Sequence, residues 1–124
     1  MRVIYPSGKE ALLRGDVHML TDTIKVALTS GYTYDATDTV IADVGTLAAP
    51  GVIVSMLAVT GGKATCQDVV FNSLSGSNVI DGLVIFKDPD VLLGFCNQRA
   101  DTTPVNVTPN GGDVTFSFDF LIKI

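Results

Sequence analysis

The sequence predicts an all-β fold, an antiparallel sandwich or jelly-roll-like barrel with one short N-terminal helix. Three observations carry this. Glycine and proline punctuate the chain at short intervals, and β-type runs lie between them. The C-terminal run from Val114 to Ile124 alternates apolar and polar residues, the period of a half-buried strand. Only one segment, near the N-terminus, has helix signals. With 124 residues the chain suits one domain with its own core, read as an arm over residues 1–6 and a single β domain over 7–124.

Taken in order, Arg2 to Tyr5 is a short extended arm ending at Pro6. Ser7 is placed to cap a helical turn, with Glu10 three residues later completing a capping box. Ala11, Leu12 and Leu13 are good helix formers, and Gly15 can take the left-handed conformation that ends the turn. Leu20 to Thr29 is the first long strand, with Leu20, Asp22, Ile24, Val26 and Leu28 on one face. Gly31 to Asp38 is a polar, aromatic loop, and Thr39 to Leu47, whose pattern suits either a helical turn or a bent strand, is read as loop.

Val44 to Gly62 carries no charge and approaches the ~20 residues that span a bilayer. Pro50-Gly51 breaks it, so Val52 to Val59 is expected to be a buried core strand and no membrane is involved. Gly61-Gly62 is a tight hairpin into Lys63 to Asn72. Val79 to Phe86 and Val91 to Asn97 flank a second hairpin at Lys87-Asp88-Pro89-Asp90. Gln98 to Asn110 is a long polar loop, and Asn110-Gly111-Gly112 turns into the last strand. There Phe116, Phe118 and Phe120 share a face and are expected to organise the core.

Charged residues are 17% and hydrophobic residues 47%, with a mean hydropathy of +0.41. So small a domain cannot hide that much apolar surface alone, which points to assembly with other chains. The net charge of −5 and the scattered basic residues argue against nucleic acid. Cys66 and Cys96 have no CxxC spacing and are read as buried thiols, with a disulfide as the alternative. The opening residues lack the apolar run of a signal peptide, so synthesis in a cytoplasm is expected.

No enzyme constellation is present in the pattern of residues. His18 is the only histidine and has no Ser, Cys or Asp set to recruit it. Asp35, Asp38 and Asp43 match no EF-hand spacing. Gly62-Lys63 fails as a P-loop, since Ala64 replaces Ser/Thr. Arg14-Gly15-Asp16 is a tripeptide common by chance, and Asn106-Val107-Thr108 is a glycosylation sequon that matters only after secretion. Neither a metal nor a cofactor is expected.

Several landmarks recur together: KEALLRGD at Lys9 to Asp16, LTDTIKVAL at Leu20 to Leu28, and Tyr32-Thr33-Tyr34. TGGK at Thr60 to Lys63, GLVIFKD at Gly82 to Asp88 and VTPNGGD at Val107 to Asp113 follow. In this combination and order the chain resembles a family of small tailed-bacteriophage virion proteins. The arm Met1 to Pro6 lies outside the resemblance, and Val91 to Gln98 follows its turn with less chain than the family pattern leads one to expect. The resemblance implies a non-enzymatic virion structural protein, a capsid decoration or cement protein with a jelly-roll-like fold. The major capsid protein would be its partner, the capsid surface its location, and a homo-oligomer, dimer or trimer, its form. A tail or connector component is the alternative station. From a different class, a small carbohydrate-binding module would use Tyr32 and Tyr34 as stacking platforms. Candidate interaction residues are therefore Arg2, Val3, Ile4 and Tyr5, an arm expected to order by adding to a neighbour's sheet, together with Tyr32 and Tyr34.

Overall fold

A computed structural model describes all 124 residues. It is mostly β, with antiparallel sheets and one short helix, the sandwich-like class expected. The strands are β1 (Arg2–Ile4), β2 (Ile24–Thr29), β3 (Leu47–Ile53), β4 (Met56–Thr60), β5 (Lys63–Cys66), β6 (Val69–Phe71), β7 (Gly82–Lys87), β8 (Val91–Cys96), β9 (Val114–Phe116) and β10 (Ile122–Lys123). The helix α1 spans Pro6–Arg14, and a single 3-10 turn spans Ile41–Val44. The main sheet has the order β1-β8-β7-β2-β3; β10-β5-β4 and β6-β9 form two smaller ones.

The main sheet is covered on both faces. On one, Ile4, Val26, Leu28, Leu83 and Ile85 pack with Ala64, Cys66, Val69, Phe71 and Ile122 in the larger core cluster. On the other, Tyr5, Ala27, Val84, Phe86, Leu92 and Phe95 lie beneath Tyr32, Tyr34 and Ile41 of the connection after β2 and Leu47 at the start of β3. Two-sided cover explains why β2 departs from the expected alternation. Ala27 and Thr29, placed on its solvent face from the sequence, are fully buried. The strand is also shorter than expected, since Leu20 to Thr23 form turns before it.

Helix α1 starts two residues earlier than the capping-box reading. Tyr5 is the N-cap and makes no side-chain cap hydrogen bond, while Pro6 occupies the first turn with its φ already suited to a helix. Ser7 is inside the helix, its hydroxyl 3.5 Å from the Asp38 carbonyl oxygen. The C-terminal expectation holds: Gly15 is left-handed, and its N–H donates to the Leu12 carbonyl. Both hairpins form as read, Thr60 opposite Lys63 and Lys87 opposite Val91, with a cis Asp88–Pro89 peptide in the second.

Three other expectations are corrected. Val52 to Val59 is not one core strand. Pro50-Gly51 lies inside β3, tolerable because β3 is an edge strand that needs no outward N–H there. The break comes instead at Val54-Ser55, and Ile53, Leu57 and Val59 are exposed. Lys63 to Asn72 likewise divides into β5 and β6. The C-terminal run keeps its alternation, yet only its ends are paired, as β9 and β10. Phe116, Phe118 and Phe120 are half-buried at the rim of the core, whereas Leu121, on the polar phase of the pattern, is buried.

Candidate interaction surfaces

Arg2, Val3 and Ile4 do not form a free arm. They pair with Cys96, Phe95 and Gly94 as β1, and the Tyr5 N–H donates to the Leu93 carbonyl at 2.9 Å. The reading of an arm that orders only on a neighbour is corrected: the main sheet already supplies its hydrogen-bond partners. Met1 extends the pairing, its ammonium donating to Asn97 Oδ1 at 2.7 Å.

Tyr5, Tyr32 and Tyr34, far apart in sequence, come together. Tyr5 is fully buried. Its hydroxyl lies 2.9 Å from that of Tyr32, which donates to Asp38 Oδ2 at 2.6 Å, so Tyr5 is the donor to Tyr32. Burial pushes both phenols above their ordinary ionisation range, and for Tyr32 the Asp38 carboxylate adds to the push. The Tyr32 ring meets Phe95 edge-on at 5.3 Å, and the Tyr34 ring lies 5.1 Å from Tyr5 and 6.1 Å from Phe95. The aromatic faces proposed as sugar platforms are thus engaged within the protein, where they lock the loop onto the sheet.

The remaining sequence candidates are local devices. Asp35 accepts the Thr37 hydroxyl and N–H, and Asp43 accepts the Thr39 and Val40 N–H groups, which holds both carboxyls below their usual range. His18 is exposed, with Nδ1 3.9 Å from Asp22 Oδ2. Cys66 and Cys96 are both buried free thiols, and burial raises that of Cys66.

The surface that emerges lies where the chain's two ends meet. Between β9 and β10, residues Ser117 to Leu121 cross from one small sheet to the other. Cavities of about 400 Å³ and about 330 Å³ flank this crossing and share Arg2, Cys96 and Phe118 in their walls. The larger is mainly apolar, with Val3, Ile4, Phe120 and Ile122 among its lining residues. Arg2 clamps the crossing, donating to Asp119 Oδ1 at 2.9 Å and to the Phe120 carbonyl at 2.7 Å, with its guanidinium 3.8 Å above the Phe120 ring. Partial burial opposes ionisation of Asp119, but Arg2 and the Phe120 N–H outweigh it and hold the carboxyl below its usual range.

Charge is segregated here. Of the eight basic residues, Arg2, Arg14, Lys25 and Lys87 pair with carboxylates, while Lys9, Lys63, Arg99 and Lys123 form no ion pair. Three of the four unpaired cations line the two cavities, and the fourth, Lys63, lies beside Phe120 of the larger. Lys9 and Lys123 line the larger and Arg99 the smaller, and Lys63 and Lys123 approach the Phe120 ring at 5.8 and 5.9 Å. Sequence reading missed this patch because its members lie far apart along the chain. Only the β5–β10 register, with Lys63 opposite Lys123, brings two of them together.

Comparison of the chain with protein-family models, with curated proteins and with solved structures finds no match in any of the three. The phage resemblance therefore stands on the sequence landmarks alone.

Proposed function

We propose that this protein is a non-enzymatic phage virion component, a capsid decoration protein that oligomerises and stabilises the shell by gripping the major capsid protein. The observation that carries the reading is the cluster of unpaired cations around Phe120 and its apolar cavity, in a chain whose net charge is −5. Unpaired cations beside a half-open apolar cavity suit an acidic segment that also inserts an apolar anchor. A decoration protein needs a contact of this kind, repeated over the lattice, where many modest interfaces add up. The sequence landmarks shared with small virion proteins set the biological context.

The test is reconstitution. Purified protein is added to capsids lacking it, and bound protein is followed by co-sedimentation and then by electron microscopy. Saturable density over the capsid surface is expected, with occupancy falling steeply for the double variant K63E/K123E. No binding to capsids overturns the reading, and density confined to the neck or tail transfers the protein to the connector alternative.

A further inference from the structure

The larger cavity lies along the outer edge of β1. This strand pairs with β8 alone, so the main sheet supplies hydrogen-bond partners on one side of it only. The Asn97 N–H donates to the Met1 carbonyl, and the Tyr5 N–H donates to the Leu93 carbonyl. Antiparallel ladders alternate, so Met1, Val3 and Tyr5 turn their main chain toward β8. Arg2 and Ile4 therefore direct their N–H and C=O groups to the open side, where they make no hydrogen bond within the protein. The cavity wraps this edge, since Arg2 and Ile4 line it from one face of the strand and Val3 from the other. Phe118 of the crossing lines it too, and the main-chain groups of Ser117, Phe118 and Asp119 are likewise without a partner.

We infer that β1 receives an extended acidic segment of the partner protein as an added antiparallel strand, with an apolar side chain of that segment in the cavity. Charge complementarity decides the occupant. Arg2, Lys9 and Lys123 line the cavity, and no Asp or Glu side chain does. Arg2 is engaged by Asp119, which leaves Lys9 and Lys123, with Lys63 beside Phe120, to meet carboxylates. The unpartnered main-chain groups select a peptide over an anionic acyl chain, which has nothing to pair with Arg2 and Ile4. A strand three residues long offers too little main chain to hold a partner by itself. The cavity and the cations supply the rest, as pockets for alternate side chains do when a strand is added to a sheet edge. Partner residues opposite Arg2 and Ile4 share the face of Ile4 and Ile122, both in the apolar core, so the apolar anchor belongs there. Carboxylates toward the Arg2 end meet Lys63 and Lys123, which stand by Phe120, and those toward the Ile4 end meet Lys9 of α1.

This deepens the proposed function and rests on that reading for the partner being the capsid protein. The test uses the isolated full-length protein and a set of capped, fluorescein-labelled peptides. Each peptide alternates Thr with one anchor type, Leu, Val, Ile or Phe, between acidic ends. Fluorescence anisotropy is expected to show saturable binding that weakens at least about tenfold from low to high salt. Peptides with lysine ends should not bind, and Lys9→Glu, an exposed position, should weaken binding of the acidic set about tenfold. N-methylating one alternate half of the peptide amides should abolish binding, while methylating the other half leaves it intact, because only one half faces β1. In nuclear magnetic resonance spectra the Arg2 and Ile4 amides should become protected from exchange when peptide is added. The inference is overturned if no peptide of the set binds, if lysine ends bind equally well, or if both methylated sets behave alike. Binding that leaves the Arg2 and Ile4 amides unprotected overturns it too. Capsid binding without peptide binding defeats this inference alone, and peptide binding without capsid binding defeats the proposed function alone.

Discussion

The Arg2 guanidinium stacks 3.8 Å above the Phe120 ring and donates from Nη2 to the carbonyl oxygen of that same residue at 2.7 Å. One side chain from the first strand thereby holds the unpaired crossing between β9 and β10. Arg2→Ala is expected to cost about 1–2 kcal/mol, from the lost hydrogen bonds and cation–π contact. Urea unfolding measures the cost, and hydrogen exchange should accelerate first at the amides of residues 117–122. Arg2→Lys should rescue little, since an ammonium cannot reach Asp119, the carbonyl and the ring face together.

Acid should release the same clamp. The Asp119 carboxyl is held below its ordinary value in the folded protein, so its contribution is present above the unfolded value of about 4. It is lost as pH falls through the lower folded value. The stability gap between the native protein and Asp119→Asn is therefore expected to be constant near neutrality and to close below about pH 4. Parallel denaturant titrations across pH measure it; a gap that persists in acid contradicts the assignment.

Gly8 is fixed by contact, and helix propensity would mislead here. A β-carbon on Gly8 would lie 2.9 Å from the Leu92 and Leu93 carbonyl oxygens and from the Leu93 α-carbon. These are backbone atoms of a central strand and cannot swing aside. Propensity alone predicts that Gly8→Ala stabilises α1 by about 1 kcal/mol. The expected result is a loss of about 1–3 kcal/mol from overpacking, read as a lower thermal midpoint.

Thr29 is fully buried, and its hydroxyl oxygen has no hydrogen-bond partner. Valine has the same shape without the unpaired polar group. Thr29→Val is expected to stabilise the fold by about 1 kcal/mol, measured by chemical denaturation. Gly82→Ala should do the reverse, because its new β-carbon would stand 2.6 Å from Thr29 Oγ1 and 3.0 Å from the Phe95 ring.

Local chemistry made much of the secondary structure legible. Gly61-Gly62 and Asp88-Pro89 set both hairpins because turn conformations depend on the residues in the turn. Gly15 ended its helix for the same reason. Reading failed where a neighbour overruled the pattern. The Val114 to Ile124 alternation is real, yet pairing stops in its middle, because β6 and β5 in different sheets take its two ends. Arg2 to Tyr5 read as an arm because a short β-type run does not reveal its partner; β8 lies more than eighty residues away in sequence.

By itself the sequence determined the β class, the main turns, the apolar excess and the absence of charge from Val44 to Gly62. Each depends on composition, period or a residue's own backbone preference. Only the tertiary structure decided which strands lie at edges, which faces are covered twice, and where the unpaired cations gather. Those depend on pairing between distant segments, and pairing energy is shared among residues that no local pattern connects. The same uncharged stretch that resembled a buried core strand became an exposed edge once β5 took one side of β4 and nothing took the other.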